Sequence, residues 1–353
     1  MPGARTKQIA ALFAAVAAVQ LLTAMTGKAF YLTQLTMTAY YTLVIMGLCM
    51  LMGYAGQLSL GHAGFFAIGG YTSAFLTTVD LTAGKSGPVI SLLAKLSVLT
   101  SRPDLYGGQV LTVQPWAAFV VALAITVVIA FAIGVPVLKL KGHYLAMATL
   151  GFGTIISSIL LGTQRFGAAD GISGVPAFTL LPGVVVTGGS SHRVMNYYIA
   201  WGLVTGGMLL LMNLIHSRVG RALRSIHGAE DAAGAMGVDT ARYKLNTFVL
   251  SAVFAAVGGA FLTHYNGGIG PSEASIMKSV RYVAIVAVGG MANLWGVLLM
   301  SAALNFLSLR GYFGTFDDAV FGGILILIML FSPEGILGAD LRGMVKRALG
   351  KNA

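Results

Sequence analysis

Six polar side chains interrupt otherwise apolar stretches of the sequence: Gln57, Ser59, His62, Thr149, Asn293 and Asn305. Amides, hydroxyls and an imidazole can bind or pass a polar solute without holding a charge. No nucleophile stands with a base and an orienting group, so no catalytic residue is read here. His62 has no second histidine or carboxylate at ligand spacing, which argues against a metal site. All 22 Lys and Arg and all 11 Asp and Glu can be placed in loops, at the ends of apolar runs or in one charged segment. A gradient-driven carrier usually needs a carboxylate at mid-membrane, and none is evident. Gln57, Ser59, His62 and Asn293 are the candidates for a translocation path, and hydrogen bonding between helices is the competing reading for each.

A second set lies in the charged segment from His216 to Lys244. Arg218, Arg221 and Arg224 recur every three residues on one helical face. Glu230, Asp231, Ala232 and Ala233, followed by Gly237, spell a short helix with a small face and a glycine stop. Such a helix is shaped to sit in a groove of another protein.

The elements that must position these residues are membrane helices. Hydrophobic residues make up 57% of the 353 and charged residues 9%, and mean hydropathy is +0.84, whereas soluble domains carry about 25% charged residues. The expected fold is all-α and polytopic, with about 8–10 transmembrane helices. The net charge of +11 falls in short loops, where it sets topology, so lipid and not nucleic acid is the expected surround. The single cysteine, Cys49, excludes an intramolecular disulfide and a cysteine metal cluster.

Apolar runs cover Ile9–Met25, Tyr31–Met52, Leu58–Val79, Pro115–Leu138, His143–Gly162, Met195–Ile215, Leu245–Tyr265, Val280–Leu309 and Ala319–Phe331. The first follows Arg5 and Lys7 like a signal peptide but lacks a clean small-x-small site before Lys28, and is read as an uncleaved span. The short connection Lys139-Leu-Lys141-Gly142 marks the cytoplasmic face and predicts antiparallel neighbouring helices. The connection Asp80–Gln114 is long, with an amphipathic surface helix expected over Pro88–Leu99. A cytoplasmic N-terminus and a cytoplasmic basic tail (Arg342, Lys346, Arg347, Lys351) require Val280–Leu309 to return to the side it started from. It does so as a re-entrant hairpin or as two short spans broken near Asn293.

Two segments are greasy and glycine-rich at once, Gly53–Tyr71 and Val286–Gly296. Broken backbone is tolerated in a bilayer only where protein or a watery cavity covers it. Gly53, Gly56, Gly61 and Gly64 would each cost a helix up to about 1 kcal/mol relative to alanine, so a break or a tight approach is expected there. Ser59, Ala63 and Ala67, and then Gly70 and Ala74, form a smooth stripe for close helix packing. The comparable positions of the two segments suggest an internal repeat.

The Asp231-Ala-Ala-x-x-x-Gly237 element resembles the EAA loop by which ABC importer permeases engage their ATPases, with Asp where Glu is usual. The chain as a whole resembles the LivM-type permease subunits of branched-chain amino acid ABC transporters. The likeness runs through Gly53–Phe66, Leu140–Leu150, Ala169–Pro176, Gly220–Ile226 and Ser332–Leu337, and is absent from the first forty residues and from Asp80–Gln114. The resemblance implies a single permease domain over residues 1–353, with residues 216–244 as its coupling segment, in a bacterial inner membrane with both termini cytoplasmic. It implies a second, LivH-like permease subunit, two ATP-binding subunits and an extracytoplasmic solute-binding protein. This chain would bind no cofactor and hydrolyse nothing, ATP being used by its partners; it contains no Gly-x-x-x-x-Gly-Lys-[Ser/Thr] loop. The loop Thr163–Arg193 would face the binding protein, with Arg165, Asp170 and Arg193 as docking residues. Urea and short amides are carried by similar permeases, and the residues named here do not separate them from leucine.

Overall fold

The structure, a computed structural model, describes residues 2–82, 98–103 and 109–331. Most of the expected surface helix over Pro88–Leu99, the Ser332–Leu337 block and the basic tail lie outside the described residues. Twelve α-helices are described: α1 (Pro2–Met25), α2 (Phe30–Cys49), α3 (His62–Thr78), α4 (Pro115–Val137), α5 (His143–Gly162), α6 (Arg193–His216), α7 (Arg218–Gly228), α8 (Glu230–Ala235), α9 (Thr240–Asn266), α10 (Ile276–Gly289), α11 (Leu294–Leu309) and α12 (Asp317–Phe331). Among the described residues, six helices are long and apolar enough to cross a membrane: α1, α2, α4, α5, α6 and α9. Helices α3, α10, α11 and α12 are apolar but shorter, at 14 to 17 residues.

Helix α2 is the central element. It buries nearly every side chain and packs against α6, α9 and α11. The most extensive helix pair is α3 on α9, and small residues make it possible. A Cβ at Gly259 would fall on the Phe66 carbonyl, and one at Gly69 on the backbone of Ala256. Helices α4 and α5, expected as direct neighbours, barely meet; α3 lies against both of them. The reason is the glycine pattern of α3, where Gly61 and Gly64 let its N-terminal turn approach Thr149, Phe152 and Gly153 of α5. The outer faces of α4 and α5 expose Val120, Val128, Phe131, Met147 and Ile155, as lipid-facing or partner-facing membrane helices do.

Two-stranded sheets cap the end of the bundle opposite α7 and α8. Strands β1 (Leu99–Pro103) and β2 (Gln109–Val113) form an antiparallel hairpin within the long connection, which the sequence reading did not anticipate. Strand β3 (Ile172–Ser173) pairs with β6 (Gly268–Ile269), and β4 (Phe178–Leu181) with β5 (Val184–Val186). The Arg102 guanidinium donates to the Gly174 carbonyl at 3.2 Å, tying the hairpin to the loop Thr163–Arg193.

The run Val280–Leu309 is two short helices. Helix α10 ends at Gly289, Gly290 adopts φ +92°, and α11 begins after Asn293. Its partner is the first glycine-rich segment, where α2 continues through a π-helical turn (Met50–Tyr54) and the chain runs irregularly to His62. Both segments are therefore helix–break–helix hairpins, and the two breaks touch. A Cβ at Gly53 would overlap the Met291 carbonyl. The Tyr54 hydroxyl donates to the Ala292 carbonyl at 2.6 Å and the Cys49 thiol to that of Met291 at 3.2 Å.

Candidate functional site

The first break keeps its backbone satisfied through neighbouring helices, as irregular chain within a membrane protein must. The Gln57 N–H donates to the Leu51 carbonyl at 3.1 Å. The Leu60 N–H donates to the Thr149 hydroxyl of α5 at 3.0 Å, and the Ala63 N–H to the Ser279 hydroxyl of α10 at 3.2 Å. Thr149 and Ser279 are both buried, so three helices hold the break from different sides.

The four path candidates separate into three environments. Ser59 and His62 form one buried chain: Ser59 Oγ lies 3.0 Å from His62 Nδ1, and His62 Nε2 lies 2.7 Å from Ser251 Oγ on α9. Both imidazole nitrogens are thus used in tying the break to α9, with Phe65 and Phe248 edge-on to the ring. Asn293 is half-buried, and its Oδ1 accepts from the Gly296 N–H at 3.1 Å as the N-cap of α11. Gln57 differs from the rest. It is 2% exposed, and neither atom of its amide has a hydrogen-bond partner. The remaining interior polar residue, Asn305, donates to Ser301 one turn back. Among the described residues no group of histidine, cysteine and carboxylate side chains is arranged to hold a metal ion.

Gln57 lines a cavity of about 220 Å³ that it shares with Gly56, Lys141, His227, Glu230 and Lys244. The cavity joins the break to the charged segment. There Ser217 starts α7, its hydroxyl accepting from the Val219 N–H at 3.1 Å, and Gly220 lets α7 turn against the end of α6, where a Cβ would strike Ile215. Helix α7 buries Leu223 and Ile226 and exposes Arg218 and Arg221. Arg224 turns back, its Nη2 donating to the Ile215 carbonyl at 2.8 Å. It satisfies the end of α6, a structural task that arginine spacing alone does not disclose.

Helix α8 has the form expected from its sequence. Gly237 sits at φ +85°, its N–H donating to Gly234 at 3.0 Å while the Val238 N–H donates to Ala233 at 3.1 Å, a Schellman stop. Ala232 is exposed and Ala233 buried. Its two acidic residues point to different elements. Glu230 pairs with the buried Lys244 of α9 at 2.7 Å, and Asp231 with Lys141 of the α4–α5 connection at 3.2 Å. The hydrogen bond from Lys141 to Asp231, with the charge of that carboxylate, raises Lys141 above the ordinary lysine value. The sequence reading had treated Lys141 only as a topological marker and Lys244 as the end of a loop. A lysine entering an apolar helix behind an acidic pair is the signal that was available.

On the opposite end, Arg165 and Asp170 are exposed on the turn leading into β3, and Arg193 begins α6. One charge cluster lies deeper than its loop position implied. Lys278 pairs with Glu273 at 3.0 Å, and both reach the Tyr41 hydroxyl of α2 at 3.0 Å. Arg281 of α10 similarly pairs with Asp317 and Asp318. These carboxylates are each matched by a cation, unlike the lone acid a proton relay requires.

The chain belongs to the family of branched-chain amino acid transport system permease components, whose model matches residues 30–330. It is 31% identical to the high-affinity branched-chain amino acid transport system permease protein LivM of Salmonella typhimurium and 30% identical to LivM of Escherichia coli, each over 86% of this chain and 68% of the relative. It is also 25% identical to the permease protein LivH of Salmonella typhimurium, over 86% of this chain and 92% of the relative. No solved structure matches it.

Proposed function

We propose that the chain is the transmembrane subunit of an ATP-driven ABC importer, forming half of the path for branched-chain amino acids handed over by a solute-binding protein. Partner ATPases dock on α7 and α8, and a second permease subunit completes the path. The observation that carries this reading is the α7–α8 corner. It is a charged, exposed element with a glycine stop, pinned by ion pairs to α9 and to the α4–α5 connection, and it shares a cavity with the glycine break. A push on the corner therefore reaches the one part of the bundle where helices are already interrupted. The corner lies on the cytoplasmic side in this reading and the small sheets on the other, the termini being cytoplasmic. No chemistry is assigned to this chain, and ATP is consumed by its partners. The test is reconstitution with candidate ATPases, second permease and binding protein, with ATP hydrolysis measured as leucine, urea and short amides are added in turn. Stimulation by leucine supports the reading; stimulation by urea or amides alone replaces its substrate.

A further inference from the structure

The cavity behind the α7–α8 corner carries a feature the importer reading does not use: a buried side chain with both hydrogen-bonding atoms idle. Leaving an amide buried and unpaired costs on the order of 1–3 kcal/mol, so Gln57 is placed for a partner that arrives from outside the chain. The walls say what kind. Lys141 and Lys244 offer ammonium donors, each with N–H groups beyond the one used in its ion pair, and Glu230 offers carboxylate lone pairs. The Gln57 amide can add one donor and one acceptor between them. Opposite, Leu140, Leu145 and Ile226 form an apolar wall. A ligand that satisfies all three parts has a carboxylate for the lysines, an ammonium for Glu230 and an aliphatic group for the wall, and it must fit about 220 Å³.

We propose that this cavity binds a free α-amino acid with an aliphatic side chain, on the face of the membrane that carries α7 and α8. Occupancy links the break, the α4–α5 connection and the start of α8 through one molecule, and so restrains the corner on which the ATPase is proposed to act. The regulatory consequence rests on the proposed function; the binding site rests on the cavity alone. The same zwitterionic chemistry is found in the phosphatidylethanolamine headgroup, and the test separates the two sources.

The experiment uses the complete transporter in nanodiscs of phosphatidylcholine and phosphatidylglycerol, without binding protein, and measures tritiated L-leucine by scintillation proximity. The expected result is saturable binding, against which 4-methylpentanoate (no ammonium) and isopentylamine (no carboxylate) each compete at least about tenfold more weakly than leucine. Gln57→Leu and Lys141→Met should each weaken leucine at least about tenfold. Lys141 is exposed at the rim, so its variant tests the site even if Gln57→Leu fails to fold. Absence of binding, or binding indifferent to Lys141→Met and to loss of the ammonium or carboxylate, overturns the proposal. Loss of leucine binding when phosphatidylethanolamine is added assigns the cavity to lipid and also overturns it. Leucine uptake driven by the binding protein, measured in parallel proteoliposomes, tells the two readings apart: uptake without cavity binding sinks only this inference, and cavity binding without uptake sinks only the proposed function.

Discussion

Gly53→Ala is the sharpest perturbation of the architecture, because the added methyl has nowhere to go. Its Cβ would overlap the Met291 carbonyl, and the next atoms it meets are also backbone, of Met291 and Ala292. Backbone cannot swing aside as a side chain tip can, so the two breaks must separate. Overpacking typically costs about 1–3 kcal/mol. Separation also strains the bonds from Tyr54 to Ala292 and from Cys49 to Met291, of which the first is worth about 1 kcal/mol. The expected total is about 2–4 kcal/mol, read as a fall of about 5 °C or more in apparent Tm by intrinsic tryptophan fluorescence in detergent. Gly151→Ala in α5 is the control, since a Cβ there meets nothing within 4 Å and alanine favours helix by up to about 1 kcal/mol. Equal Tm values for the two variants would refute the claim that the breaks support each other through backbone contact.

Three further outcomes follow from single residues. Gly237→Val places a β-branched residue at φ +85°, at a cost of about 1–2 kcal/mol confined to the α8 stop; the complex should still hydrolyse ATP while uptake per ATP falls, and normal coupling would remove α8 from the ATPase contact. His62→Leu keeps the packing against Phe65 and Phe248 but loses both hydrogen bonds, costing about 1–3 kcal/mol; uptake should fall only as far as Tm does, and loss of uptake at unchanged Tm would show that His62 meets the solute. Reversing charge at Arg165 and Arg193 together should raise the binding-protein concentration needed for half-maximal ATPase stimulation, and an unchanged concentration dependence would move docking elsewhere, for instance to the β1–β2 hairpin.

The breaks were legible because glycine is costly in a helix and broken backbone is costly in a membrane, so Gly53, Gly56, Gly61 and Gly64 together had to mean something. What they touch was not legible, since contact between Gly53 and Met291 is tertiary and leaves no local pattern. The α8 stop could be read from the spacing of Asp231 and Gly237, which is a local motif with a local cause. Arg224 could not, because capping Ile215 depends on the corner that Gly220 permits. The α4–α5 pairing failed for a related reason: a short connection fixes where two helices meet at one end, while the wedge of α3 between them is set by its own glycines. The β1–β2 hairpin was missed although Gln109-Val-Leu-Thr-Val alternates polar and apolar residues, because strand-length runs are faint beside the hydropathy of the neighbouring spans.

The central claim is that the α7–α8 corner is where the ATPase acts. Ala232 is exposed on α8 and can carry a photocrosslinking side chain without entering the core. In the assembled transporter, irradiation of that variant should join this chain to the ATP-binding subunit, with a yield that changes when nucleotide is trapped, while the same probe at Arg165 on the opposite end should not. Crosslinking at Arg165 and none at Ala232, in any nucleotide state, would contradict the account.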